Sequence, residues 1–344
     1  MGNPGDVMLS EIAEIPQILG EIASEFETRS DIHSLLNEKK FQSVVIVARG
    51  TSDNAAHFLK YLIETQLGLP CGLASPSVAT MYKTKFRYEK TLVVAISQSG
   101  KSSDLAAFSQ AAKDGGGYLL SITNNSNSPL ALLSEAHLSV QAGPELAVPA
   151  TKSYVGQLMV SYLLVMSWAM AKSEVKELIK NAQATVDDES SYLTFARNIS
   201  IKKPIYVLGR GFSYPNAKEF ALKLQETSLI PVQGMSTSDF LHGPIASITE
   251  DSQVIFISPN GLPEDSFGDA PKRVRAITKR LFWIGNYGAN QGDDVVLHTP
   301  HSSSEILASI TDAIAFQKVT HYLATSNGLD PDSPKGLSKV TITL

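Results

Sequence analysis

Two stretches decide the fold of this chain: VVIVARGTS at residues 44–52 and PIYVLGRGFS at 204–213. Each is an apolar, β-branched run that ends in Arg-Gly-x-Ser, on Arg49 and Ser52 in the first and on Arg210 and Ser213 in the second. A second pair, VVAISQSG (93–100) and VIFISPNG (254–261), recurs at the same offset. Two matches at one offset imply a duplicated domain. In each copy, short β-branched runs alternate with stretches of helical period. The first copy has strands near 44–48, 92–96, 119–123 and 136–140, with helices near 54–66 and 103–113. The second has strands near 204–208, 253–257, 281–284 and 294–297, with helices near 215–227 and 270–279. Continuous apolar strands separated by helices are buried on both faces, which calls for a parallel, doubly wound sheet. The expected fold is α/β: two tandem doubly wound parallel-sheet domains of flavodoxin-like α/β/α build. The expected layout is a helical lead-in over 1–40, a first domain with its connecting helices over 41–199, a second over 200–329, and a tail over 330–344 ending in a short strand.

Bulk properties narrow the function. The chain has 344 residues, 43% of them hydrophobic, enough for two cores. A net charge of −5 gives no electrostatic footprint for nucleic acid. With Cys71 as the one cysteine, an intramolecular disulfide is impossible, which fits a reducing compartment. Cys71 reads as a small buried residue. The N-terminal MGNPGDVMLSEIAEIPQIL lacks the basic region of a signal peptide. The longest apolar stretch, LMVSYLLVMSWAMA (158–171), falls short of the roughly 20 residues a bilayer requires, and reads as a helix buried in a core or an oligomer interface. A cytoplasmic chain with no membrane or nucleic-acid partner is expected. His57, His298, His301 and His321 lack metal-ligand spacing, so no metal is expected. No P-loop or dinucleotide fingerprint is present, so no cofactor is expected.

Ligands of open α/β sheets bind beyond the carboxyl ends of the strands. Two such ends in the first copy are rich in hydroxyls: Gly50-Thr51-Ser52-Asp53-Asn54, and Ser97-Gln98-Ser99-Gly100-Lys101-Ser102-Ser103-Asp104. Each precedes a helix, whose first N–H groups and positive dipole end attract an anion. The same residue types also serve as plain N-caps. At the matching place the second copy has Ser258-Pro259-Asn260-Gly261, without the hydroxyl cluster, so a phosphate is expected in the first copy only.

Taken with Ala150-Thr151-Lys152, Leu222-Lys223-Leu224-Gln225-Glu226, His242-Gly243-Pro244 and Leu337-Ser338-Lys339-Val340-Thr341, these motifs resemble the sugar isomerase (SIS) family over about residues 20–344. The likeness is to the isomerase half of glucosamine-fructose-6-phosphate aminotransferase in particular. The resemblance implies a sugar phosphate as ligand, its phosphate held by Thr51, Ser52, Ser97, Gln98, Ser99 and Ser102. It implies that Glu226 moves a proton between C1 and C2, that His242 assists ring opening from the neighbouring subunit of a homodimer with shared sites, and that Lys339 acts near the carbonyl from a mobile tail. Lys223 would support the same site, and Glu145 and Val148 would line the substrate loop. The residue types suit the reaction. A carboxylate can take a carbon-bound proton, an imidazole can move ring protons near neutral pH, and a lysine can stabilise oxyanion charge. Outside the resemblance, Glu219, Lys223 and Glu226 would read as a surface salt-bridge lattice on one helix.

The chain also departs from the aminotransferase. Nothing in it corresponds to a glutamine-hydrolysing domain with an N-terminal cysteine, and position 2 is Gly2. Gln225 replaces a lysine beside Glu226, Lys101 stands where the aminotransferase has an acid, and Ser238-Asp239-Phe240-Leu241 differs. The expected reaction is therefore the ammonia-releasing one of the SIS-type glucosamine-6-phosphate deaminases, which gives fructose 6-phosphate. A deglycase for fructosamine 6-phosphates and a non-catalytic phosphosugar sensor are the alternatives.

Overall fold

The repeated apolar runs form the centre of two parallel sheets. A computed structural model describes residues 2–261, 266–285 and 294–339. The first sheet contains β1 (Ser43–Val47), β2 (Cys71–Leu73), β3 (Thr91–Ser97), β4 (Tyr118–Thr123) and β5 (Ala136–Ser139) in the order β2-β1-β3-β4-β5. The second contains β6 (Ile205–Gly209), β7 (Val232–Ser236), β8 (Gln253–Ser258), β9 (Leu281–Gly285) and β10 (Val295–Leu297), and from β7 it reads β7-β6-β8-β9-β10. The two orders are the same. All neighbouring strands run parallel. The fold is thus α/β with two tandem doubly wound sheets of flavodoxin-like order. The central strands β3 and β8 are buried along their whole length, which is why both lack polar alternation.

The chain divides into two compact units. The first-sheet unit takes in Gln17–Glu145 and Lys152–Val175. The second-sheet unit takes in the N-terminal residues through Pro16, Leu146–Thr151 and Lys176–Lys339. Each has one helix buried almost all round. In the first it is Lys152–Trp168, whose residues Lys152 to Met166 are all buried and which packs on the helix Thr51–Leu62. This is the apolar stretch of the sequence, and it lies in a core of its own chain. Among the described residues no helix is long and apolar enough to cross a membrane. In the second unit the buried helix is Glu305–Ser326, which stacks Phe316 on Phe220 of the helix Ser213–Ser228 at 5.4 Å between ring centroids.

Some local expectations need correction. The edge strands β2 and β7 were not expected, because CGL and VQGMS are short and half-exposed rather than apolar runs. The helix expected over 270–279 stops at Arg275. The terminal strand expected at the end of the tail lies outside the described residues. Cys71 is buried as expected, and burial pushes its thiol up to about 12, far from a nucleophile's range.

Candidate functional site

In the first unit, β1 pairs with β3 in parallel, Val47 opposite Ala95, so the loops that follow them leave the same edge side by side. In the order β2-β1-β3 this is the switch point, where the chain winds off in opposite directions and leaves a crevice. Thr51 opens the helix Thr51–Leu62 behind Gly50, and Ser102 stands at the N-cap of the helix Ser103–Asp114. Neither N-cap residue makes a side-chain capping bond. Gly50 has no side chain to cap with, and Ser102, the hydroxyl at the other N-cap position, does not serve as a cap.

Several of the hydroxyls instead accept within the loops. Ser97 Oγ accepts from Gly100 N at 3.1 Å, Ser99 Oγ from Lys101 N at 3.3 Å, and the buried Ser52 Oγ from Gln157 Nε2 at 3.0 Å. A hydroxyl that accepts in this way still has its own O–H to give, which is what an anion's oxygens need. Gly100 sits at φ +64°, and a Cβ there would lie 2.1 Å from Ser128 Oγ, so the turn requires glycine. Arg49 Nε donates to Asp104 Oδ2 at 2.9 Å and ties the two loops together; Asp104 is 4% exposed and Arg49 51%. Arg49 belongs to the repeated Arg-Gly-x-Ser motif, and this tie is its structural reason.

Glu145 has a definite job in the same unit. It is buried, and its carboxylate accepts from Ser153 N at 3.0 Å and from Ser153 Oγ at 2.7 Å, at the start of the buried helix. A carboxylate there satisfies first-turn donors and complements the helix dipole.

In the second unit, Glu219, Lys223 and Glu226 lie on the helix Ser213–Ser228 at spacings of four and three. The lattice reading fails on burial: Lys223 and Glu219 are 0% exposed, and Glu226 22%. Lys223 Nζ lies 3.4 Å from Glu219 Oε1 and also pairs with Glu226. Burial alone would lower the lysine's pKa. Glu219 and Glu226 outweigh that effect and hold the ammonium above its usual value. Lys223 is thus a fixed, buried cation paired with the partly exposed carboxylate of Glu226. Glu219, which the sequence marks only by its spacing, is the counter-charge that lets the lysine stay charged in the interior.

The remaining predicted residues fall as follows. His242 is exposed and ends the short helix Thr237–Leu241, just before Pro244. Lys339 Nζ donates to Ala147 O at 2.7 Å, and Val148 N donates to Asp332 O at 2.9 Å. Among the described residues no cluster of His, Cys, Asp or Glu could hold a metal ion. A cleft of about 620 Å³ opens among Lys203, Ile205, Tyr206, Gln225, Val232 and Gln233, and none of the predicted site residues lines it. It lies at the amino ends of β6 and β7, opposite to where ligands of such sheets bind.

The second unit's own loops are filled from within. Glu305 Oε1 accepts from Phe212 N at 3.0 Å, at the start of the helix Ser213–Ser228. Gly211 and Gly261 make room for it: a Cβ on the first would lie 2.7 Å from Glu305 Oε1, and one on the second 2.8 Å from Glu305 N. Ser213 turns its hydroxyl inward, accepting from Arg210 N at 2.9 Å and donating to Arg210 O at 2.7 Å. The sequence gives no direct sign of Glu305, which is far from these loops along the chain.

Known proteins share this architecture. The SIS domain profile matches residues 35–167 and 198–321. The glutamine–fructose-6-phosphate aminotransferase (isomerizing) of Methanothermobacter thermautotrophicus is 31% identical over 346 residues, covering 96% of this chain and 56% of the relative. The chain thus spans little more than half the length of that relative. The C-terminal domain of glucosamine-fructose-6-phosphate aminotransferase from Francisella tularensis superposes with a TM-score of 0.86 at 25% identity, over 95% of this chain and 98% of the other. Glucosamine-6-phosphate deaminase from Thermotoga maritima, at 21% identity, shares the fold with a TM-score of 0.78 over 98% of this chain and 100% of the other. The chain belongs to the SIS domain family.

Proposed function

We propose that this protein is a phosphosugar isomerase and deaminase that converts glucosamine 6-phosphate to fructose 6-phosphate and ammonia. The observation that carries the chemistry is the buried Glu219–Lys223–Glu226 array, which presents one partly exposed carboxylate on a fixed cation. The hydroxyl-rich loops at the first sheet's switch point, with Ser102 making no capping bond, support phosphate binding by Thr51, Ser52, Ser97, Gln98, Ser99 and Ser102. His242 assists ring opening. Glu226 then removes the C2 proton of the open aldehyde, and the electron pair moves through C1 to give an enolamine. Return of a proton to C1 yields the C2 imine. Water adds to C2 and ammonia leaves, so sugar plus water balances ketose plus ammonia. Lys339 stabilises the oxygen that gains charge, and Glu145 and Val148 shape the substrate loop. The same reading makes the protein a cytoplasmic homodimer with His242 serving the neighbouring chain. The exposure of His242 supports that role.

Incubation with glucosamine 6-phosphate should release ammonia and fructose 6-phosphate in equal amounts. Glu226→Gln should lower turnover by about a thousandfold, within the range of a lost general base, while the sugar phosphate still raises the melting temperature. Turnover that survives the substitution removes Glu226 from the role. Release of a free amino acid and glucose 6-phosphate from a fructosamine 6-phosphate, with no ammonia from glucosamine 6-phosphate, selects the deglycase. Mixed dimers of Glu226→Gln and His242→Ala chains should regain activity; none in verified mixed dimers places each site in one chain.

A further inference from the structure

We propose that Asp332 is a positioning residue for Lys339, and that the N-terminal helix Asp6–Ala13 is the anchor through which it acts. The role in catalysis rests on the function proposed above; the tether itself does not. The helix begins at Gly5, which has φ +88° and no side chain with which to cap. No larger residue fits: a Cβ on Gly5 would lie 2.6 Å from His321 Cε1. The cap arrives instead from the far end of the chain. Asp332 Oδ1 accepts from Met8 N at 2.7 Å and Oδ2 from Val7 N at 3.1 Å, while Asp330 Oδ1 accepts from Gly5 N at 3.2 Å. Two acceptor oxygens on first-turn donors, at the positive end of a helix, are the strong arrangement for a carboxylate.

The same residue reaches the segment that Lys339 touches. Asp332 O accepts from Val148 N at 2.9 Å, and Lys339 Nζ donates to Ala147 O at 2.7 Å. The N-terminal helix grips this segment a second time. Glu11, 3% exposed, accepts from Leu146 N and, at 3.4 Å, from Ala147 N. Helix, segment and tail therefore close a hydrogen-bonded ring inside the second unit. Only six residues of chain lie between Asp332 and Lys339, so fixing the first restricts where the ammonium of the second can go. The exposed Lys335 between them leaves the intervening loop accessible to a protease.

Limited trypsin cleavage of the full chain, with mapping of the cuts after Lys335 and Lys339, tests the tether. Asp332→Ala should speed these cuts about tenfold, the factor that losing a helix cap gives to a local opening equilibrium. Asp332→Asn, which keeps one acceptor, should fall between; it is read in place of the alanine variant if that one does not fold. Val274→Ala, a core truncation beneath the second sheet, controls for general destabilisation and should leave these cuts at the wild-type rate. Wild-type cleavage in Asp332→Ala, or equal acceleration in Val274→Ala, overturns the tether. On the sugar phosphate that turns over, Asp332→Ala should lower kcat about tenfold with KM within about twofold. It should add nothing to Lys339→Ala. A further loss in that background overturns the positioning role. Absence of turnover in the wild type overturns the proposed function, and the cleavage result still decides the tether.

Discussion

The two sheets share one strand order and one Arg-Gly-x-Ser motif, yet the loops at their carboxyl edges have opposite contents. In the first unit, Ser52, Ser97 and Ser99 accept from within and keep an O–H to give. In the second, Ser213 returns its hydroxyl to Arg210 O, and Glu305 takes the Phe212 N–H. A helix start needs negative charge or acceptors from some source. The second unit supplies them from its own chain, whereas the hydroxyls of the first keep donors that the proposed function assigns to a phosphate. The two copies thus share one architecture, and the carboxyl-edge loops of the second are internally satisfied.

The largest expected effect concerns the buried helices. Lys152–Trp168 buries the amine of Lys152 and neutral groups such as Ser153 and Gln157 but no carboxylate, whereas Glu305–Ser326 buries Asp312 completely. Burial raises the Asp312 carboxyl to about 7, the Thr299 hydroxyl opposing in part. A raised folded pKa means that the folded chain holds this proton more tightly than the unfolded one. The stability it contributes is full below about pH 4 and is lost as pH rises through about 7. Asp312→Asn should remove this dependence and stabilise the chain by on the order of 4 kcal/mol above pH 7. Equal melting temperatures for the two proteins from pH 5 to pH 8 would show that Asp312 is not the buried acid of the second unit.

Giving the first unit the second unit's solution should weaken the proposed phosphate binding. Ser102→Asp puts a carboxylate at the start of the helix Ser103–Asp114, as Glu305 does for the other copy. Affinity for a 6-phosphosugar should fall about a hundredfold through like-charge repulsion, while the helix is not weakened, since Asp caps as well as Ser. Titration calorimetry reads this; unchanged affinity places the phosphate elsewhere. Gly100→Ala forces a side chain into Ser128 at positive φ and should cost about 2 kcal/mol. Thermal denaturation with and without ligand should show both lower stability and a smaller ligand-induced shift. The smallest effect belongs to Glu305. Burial raises its pKa, with the Phe212 N–H opposing, so stability is lost as pH rises above the ordinary carboxylate range. Glu305→Gln keeps an acceptor without the charge, and should change stability by less than about 1 kcal/mol at neutral pH while flattening that pH dependence. A larger loss would mean that the charge itself holds the loops.

Much of this was legible before the structure. The repeat, the β1, β3, β6 and β8 runs and the two hydroxyl-rich turns are local patterns, and local patterns survive in one dimension. Edge strands β2 and β7 were not legible, because half-exposed strands need no apolar run. The helix Glu305–Ser326 was not read either, since a helix buried all round shows no polar face to set its period. Lys223 and Glu226 were named from their motif, but charged residues three and four apart look the same on a surface as in a core.

By itself, the sequence determined the duplication, the parallel α/β class and which copy carries the hydroxyl loops, because each follows from residue types adjacent along the chain. The tertiary structure alone decided that Lys223 is buried between two carboxylates, that Glu305 fills the second copy's loops, and that Asp332 caps a helix more than 300 residues away in sequence. These are questions of burial and of long-range hydrogen bonding. A charge's energy depends on the solvent it has lost and the partner it has gained, and neither is written beside it in the chain.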